Sequence, residues 1–328
     1  MSKTSKLNLP VLAMDIGGTK ISTAIISGED RIIAREYDLT LSGEGPEAVI
    51  NRTIAVMDLL LDKSETKPNQ LCGISIAIAG AIDTVRGMVT KSPHLPGWHN
   101  VPLRDIVREE FRTNTIIVND ANAAALAEHR FGAGRGIKNL ILLTLGTGIG
   151  GGIIINDKLY YGANGIAGEI GHMTIDFNGP KCNCGNNGCL EMFVSGEAIA
   201  REAVKRISRG EKSALLGKTS GITGEAVSAA AESGDALALA IVSEAGEALG
   251  VGILNLVNIF NPEMVIISGG MSKMGDLLLN PVRQIVTERA FPLAARTVKI
   301  TLAQYVEDAG LIGAAAFIRE EKETGRIK

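Results

Sequence analysis

Cysteine is scarce in this chain, with four residues in 328. At that density a disulfide scaffold is excluded. Aromatic residues make up 4%, there is one tryptophan, and 33 basic side chains face 36 acidic ones for a net charge of −3. Without a basic surplus there is no electrostatic case for nucleic acid or for an anionic membrane surface as a partner. No apolar run reaches the length of a membrane span without a glycine or polar interruption, so no span is expected. The opening stretch MSKTSKLNLP lacks the apolar core of a signal peptide, and a cytoplasmic protein is expected. About ten residues precede the first expected strand, too few for a helix-turn-helix in front of it. The length itself favours two domains over a single core.

Glycine, by contrast, is abundant at 39 residues. Residues 140–155 read LILLTLGTGIGGGIII: an apolar run, a turn of five glycines (Gly146, Gly148, Gly150, Gly151, Gly152) with Thr147 at its tip, then a second apolar run. Gly146-x-Gly148-x-x-Gly151 matches the dinucleotide fingerprint in letters. That motif must open a helix, however, and Ile153-Ile154-Ile155 before Asn156-Asp157 is β-like. What remains is a hairpin whose bare N–H groups can face an anion; a ligand-free glycine hairpin satisfies the same letters. Residues 12–26 repeat the design as strand, Asp15-Ile16-Gly17-Gly18-Thr19-Lys20, strand. Two such hairpins imply two related subdomains. Asp15 can hold a hydrated Mg²⁺ while Thr19 and the backbone face phosphates, or it can simply form the turn. Lys20 either neutralises phosphate or is solvated.

Helical spacing marks 46–62, and 71–80 reads as a buried strand with Cys72 as a small core residue. Ile116-Ile117-Val118-Asn119-Asp120 is a strand ending in two polar residues before an Ala-rich helix, 121–130. Asp120 there can act as the helix cap. Cys182-x-Cys184-x-x-x-x-Cys189 begins ten residues after His172; one imidazole and three thiolates form a closed Cys3His set, the usual arrangement for structural Zn²⁺. Further on, helices are expected at 196–207, 224–231 and 236–260, a strand at 263–267, a glycine turn at 268–270, a strand at 298–302 and a helix at 309–321.

DIGGTK and LGTGIGGG, followed by GANGIAGEIGH and the cysteine cluster, resemble the sugar-kinase branch of the actin-like ATPases, specifically the ROK family (repressors, open reading frames, kinases). The resemblance runs from Asp15 to about Gly313. It implies an α/β protein of two RNase H-like (actin-like ATPase) domains with an interdomain cleft, here 1–118 plus 309–328, and 119–308 with the zinc-binding loop. It implies ATP, Mg²⁺ and structural Zn²⁺ as cofactors, and transfer of phosphate to the 6-hydroxyl of a hexose, glucose first. N-acetylmannosamine and fructose remain alternatives, as does a sugar-binding regulator without a DNA-binding domain. By the same resemblance Asn119 and Asp120 bind sugar hydroxyls and Asp120 is the base. Glu169, His172 and Glu191 contact sugar, with His172 shared with the metal set His172, Cys182, Cys184 and Cys189. Asp15, Gly17, Gly18, Thr19, Lys20, Gly146, Thr147 and Gly148 hold phosphates, and Gly269 and Gly270 lie beside adenosine, although a strand-to-helix turn there also has a purely geometric reading. A homodimer or homotetramer is implied by analogy. Two departures stand out. Ala79-Gly80-Ala81-Ile82-Asp83 lacks the proline usual in the family's turn. His94, in a Pro-His-Leu-Pro-Gly-Trp stretch, stands where asparagine is common, so no sugar contact is carried to it. Trp98 in that stretch is a stacking platform or, more simply, a packed loop aromatic.

Overall fold

The computed structural model describes residues 7–217 and 221–326. Residues 1–6, most of the stretch read for a leader, lie outside it, as do 218–220 and 327–328.

VLAMDI forms β1 (Val11–Ile16), and β2 (Lys20–Ile26) returns antiparallel beside it, with β3 (Ile32–Leu39) outside β2. Helix α1 (Pro46–Lys63) follows, started by a proline whose missing N–H costs nothing in the first turn. β4 (Gly73–Ile78) then pairs parallel to β1 on its other side. All six residues of β4 are buried, the pattern of a strand covered on both faces. Three short strands, β5 (Ala81–Asp83), β6 (Met88–Lys91) and β7 (His99–Val101), form a separate small sheet. After α2 (Leu103–Phe111), β8 (Thr115–Asn119) completes the order β3-β2-β1-β4-β8, and α3 (Asp120–Arg130) leaves its end.

A second sheet repeats this plan. β9 (Leu140–Leu145) and β10 (Ile149–Ile155) form a hairpin with β11 (Lys158–Leu159) outside it, while β12 (Met264–Ser268) and β13 (Lys299–Leu302) add parallel on the other side, in the order β11-β10-β9-β12-β13. Between β11 and β12 lie α4 (Glu191–Val194), α5 (Gly196–Ser208), α6 (Gly224–Glu232) and α7 (Ala236–Phe260); α8 (Asp276–Arg289) and α9 (Pro292–Thr297) precede β13, and α10 (Ala309–Glu323) closes the chain. Each sheet is thus a hairpin with two parallel strands on one flank, one α/β plan used twice.

The chain divides into two compact units: Met1–Phe131 with Leu159–Ala167 and Glu307–Lys328, and Gly132–Lys158 with Gly168–Val306. The boundary expected at 118/119 falls inside the first unit, so Asn119 and Asp120 stay with the sheet whose edge strand carries them. Trp98 is 1% exposed within that unit's core, which is the packed reading of this aromatic. Helix α7 is, by length and composition, long and apolar enough to cross a membrane, although Ser243, Glu244, Gly246 and Glu247 interrupt its apolar run as the sequence reading has it. Leu237, Ile241, Leu249 and Ile253 on it nevertheless sit in the second unit's core with Ile141 and Val265. The glycine turn is also shorter than expected. Only 146–148 turn; Gly150, Gly151 and Gly152 are residues of β10, and a side chain at Gly151 would run into the carbonyl of Gly168 at 2.6 Å.

Within the first unit α10 packs on α3, and a methyl group at Gly313 would overlap the carbonyl of Ala123. Replacing a helical glycine by alanine normally gains about 1 kcal/mol in propensity. Here the obstacle is backbone, and overpacking costs about 1–3 kcal/mol. Gly313→Ala should therefore lower stability in a denaturant titration; a gain would mean the two helices can part without loss.

Candidate active site

In the first unit, parallel pairing brings three strand ends to one edge. Asp15 on β1 is level with Ala77 on β4, and Ile78 is level with Asn119 on β8. Parallel strands leave their C-terminal ends open for ligands because the chain departs there into loops and helix starts. The Asn119 side chain caps α3: its Oδ1 accepts from Ala121 N at 3.0 Å and Asn122 N at 3.1 Å, and its Nδ2 donates to Gly80 O at 3.1 Å. The cap is thus Asn119, not Asp120, and the turn that lacks the proline is tied to the same side chain. Asp120 is the first residue of α3, with Oδ1 accepting from Ala121 N at 2.9 Å.

Asp15 and Asp120 feel each other. Burial and then the Asp120 charge push the Asp15 carboxyl up to about 7, against the pull of Lys20. Asp120 is also raised by burial, with the Ala121 N–H and the charge of His94 opposing. Two crowded carboxylates with one shared field are what a cation, or a proton to be moved, would find here. The Asp15 carboxylate rests on Gly310 in the first turn of α10, so close that a Cβ there would overlap it. The turn after β1 is closed by Gly17 N donating to Lys20 O at 3.0 Å, and Thr40 ties the Gly17 and Thr19 carbonyls inward. Thr19 and Lys20 are exposed, and the Lys20 ammonium lies 4.8 Å from the Tyr37 ring centroid. His94 is the residue that sequence reasoning passed over. Its Cβ would be 3.0 Å from a side chain at Gly18, and its charge acts on Asp120. Its only sequence signal was its place in the Pro-Gly-Trp loop.

In the second unit, Leu145 pairs with Ile149 across the 146–148 turn, and Thr147 is exposed at the tip. Gly146 O accepts from Gly196 N at 2.8 Å, fixing the turn to the start of α5. Glu191, first residue of α4, reaches the same hairpin: its Oε2 accepts from Ile149 N at 2.8 Å and would lie 2.5 Å from any side chain at Gly148. Gly148 is therefore glycine for a contact as well as for a turn. The 269–270 turn leaves β12, parallel neighbour of β9, with Ser268 level with Thr144, so both glycine turns share one sheet edge. Gly269 takes φ +88° with its Cα face against Leu145.

Glu169 precedes and His172 ends a single 3-10 turn, Ile170–His172, with Glu169 Oε2 3.9 Å from His172 Nε2. The other ring nitrogen, Nδ1, is 3.7 Å from Cys182 Sγ, and Cys184 Sγ is 3.7 Å from Cys189 Sγ. The four donor atoms all lie within 4.8 Å of one another. A tetrahedral zinc with Zn–S of about 2.3 Å and Zn–N of about 2.0–2.1 Å sets donor separations of roughly 3.5–3.8 Å, so the set fits that ion. Burial pushes the Cys189 thiol up to about 12, whereas the Asn186 N–H holds Cys184 below the usual thiol range.

The chain belongs to the ROK family, whose profile matches residues 11–321, and its doubled α/β plan is that of the actin-like ATPases. It is 38% identical to a glucokinase of Thermotoga maritima over 315 residues, covering 95% of this chain and 98% of that one. It is 35% identical to a xylose repressor of Caldicellulosiruptor bescii, covering 94% of this chain and 77% of the repressor. Among solved structures it resembles a ROK family glucokinase from Streptomyces griseus in complex with glucose and AMPPNP, with a TM-score of 0.82 and 34% identity over 95% of this chain and 99% of that one.

The raised Asp15 carboxyl has a sign that can be checked. It keeps its proton to about pH 7 when folded but only to 3.8 when unfolded, so between those values the folded chain binds more protons and stability falls as pH rises. Melting without divalent cations should show this decline from pH 5 to pH 8, and Asp15→Asn should flatten it. An equal slope in the variant would assign the titration to another group.

Proposed function

We propose that the protein is an ATP-dependent hexose kinase that phosphorylates the 6-hydroxyl of glucose. The observation that carries this reading is the pair Asp15 and Asp120, brought to one strand edge and electrostatically coupled, in a chain related to glucokinases over nearly its whole length. A sugar-binding regulator needs neither a proton acceptor nor a cation-holding carboxylate.

In this reading Asn119 orients a sugar hydroxyl, and Asp120 accepts its proton as the oxygen attacks the γ-phosphorus of ATP and the bond to the β–γ bridging oxygen breaks, releasing ADP. The raised Asp120 carboxyl suits that task, because a base works best when its pKa lies nearer the working pH. Phosphoryl transfer otherwise depends on positioning and on neutralising charge. The hairpin turns with Gly17, Gly18, Thr19 and Lys20, and with Gly146, Thr147 and Gly148, supply N–H groups and hydroxyls for the phosphates. Gly269 and Gly270 border the nucleoside. Asp15 would hold Mg²⁺ through its water, and the ion supplies neutralisation of the phosphate oxygens. Glu169 and Glu191 accept from sugar hydroxyls, while His172, with Nδ1 given to the metal set, donates from Nε2–H to a sugar oxygen. A structural Zn²⁺ on His172, Cys182, Cys184 and Cys189 would fix the loop that carries Glu169. Three thiols kept for a metal and an ATP donor fit a reducing cytoplasm.

Release of ADP should be measured with MgATP against glucose, mannose, N-acetylmannosamine, N-acetylglucosamine and fructose. Glucose should be the preferred acceptor, and Asp120→Asn should cut turnover by about 10²–10⁴-fold, the usual contribution of a positioned base. Absence of turnover on every sugar, with sugar binding retained in calorimetry, would move the protein to the regulators. Metal analysis should find about one zinc per chain. Cys184→Ser should lose it and raise the KM for glucose more than that for ATP; full zinc content in the variant would remove Cys184 from the set.

A further inference from the structure

Among the described residues, a cavity of about 590 Å³ opens in the first unit. It lies along the N-terminal half of β8, at Thr115, Ile116 and Ile117, rather than at the end that carries Asn119 and Asp120. Ile116, Ile117 and Phe317 give it an apolar floor, and Tyr161 stands over Phe317 with ring centroids 6.2 Å apart. Three guanidinium groups, those of Arg104, Arg108 and Arg326, line the same space against one carboxyl, Glu321. Glu321 is buried, and burial raises its carboxyl while Arg326 beside it pulls it down.

The arginines are set in place rather than trailing in solvent. Arg104 and Arg108 stand one turn apart on α2, so they project to the same side. Arg104 donates from Nη1 to Val85 O and from Nε to Asp105 Oδ1, each at 2.9 Å, and its side chain is seated on Gly87. Arg108 Nη2 lies 3.2 Å from the same Asp105 oxygen. Two guanidiniums offer about ten N–H donors, far more than one carboxylate and one carbonyl can accept. At the other side Arg326 donates to Glu321 at 2.9 Å and lies 5.7 Å from the Tyr161 ring centroid. An apolar floor with paired, oriented guanidiniums at its rim matches a ligand with a carbon skeleton and a compact oxyanion.

We propose that this cavity is a second small-molecule site that takes an organic phosphate, with the phosphate on Arg104 and Arg108 and the skeleton on Ile116, Ile117 and Phe317. The cavity also borders residues 162–165, which run on in the chain to Glu169. An occupant therefore has a covalent route to the loop assigned to the sugar. The proposal stands apart from the kinase reading, since none of these side chains takes part in it.

Three probes distinguish the possible sources of the phosphate: glucose 6-phosphate, AMP and phosphoenolpyruvate. Each is titrated by calorimetry into the full chain, alone and with glucose and AMPPNP present at saturation. At least one should bind once per chain with a Kd of about 1 mM or tighter, and should still bind in the loaded protein. Arg104→Ser with Arg108→Ser should weaken that binding at least tenfold. So should Val85→Trp, an exposed position whose enlarged side chain plugs the cavity and which keeps the test decisive if the double variant fails to fold. The proposal is overturned if no probe binds, if the heat vanishes once glucose and AMPPNP are present, or if the folded variants bind as the parent does. Loss of sugar turnover alone would overturn only the kinase reading.

Discussion

A carboxylate taken out of water beside another carboxylate is the constraint on which the first unit depends. Asp15 is held at the end of β1 by two neighbours of the sheet and by the first turn of α10, where only glycine leaves room for it. Helix starts favour negative charge, yet burial and Asp120 together overcome that pull and that of Lys20. The sheet order, the glycine at 310 and the close packing of α10 on α3 all serve to keep these two acids at one edge. The fold spends stability there, as sites built for charged ligands generally do.

The second unit applies the same strand plan with a different emphasis. No acid corresponds to Asp15 at the end of β9; Leu145 ends that strand and a glycine turn follows. The anionic group that does reach the turn comes from elsewhere in the unit, as Glu191 at the head of α4. One copy of the plan thus carries charge on its strand ends, while the other carries bare backbone and borrows its carboxylate.

Much of this was legible in the sequence because periodicity and turn chemistry act locally. Helix α7 has its expected bounds, Ala236–Phe260, since Asp235 caps its start and Asn261 takes the left-handed conformation that ends it. The order of motifs marked the family. Long-range contacts were not legible. Gly150 to Gly152 read as turn because nothing local says that the carbonyl of Gly168 will lie against the strand. Asp120 read as a helix cap because Asn and Asp are equally good caps, and only the structure shows Asn119 in that place. His94 and the Glu191 bond to Ile149 join residues many positions apart, and no spacing rule reaches them.

The cap at Asn119 has one more consequence. A primary amide offers two hydrogens and two lone pairs. Both lone pairs are committed to Ala121 and Asn122, and one hydrogen is committed to Gly80. A single N–H remains in its inventory, so toward any guest this side chain is a one-handed donor and never an acceptor. A hydroxyl meeting it must turn its oxygen toward the amide, which aims the hydroxyl's own hydrogen elsewhere. The asparagine beside Asp120 thereby dictates the direction in which the proton of such a hydroxyl points.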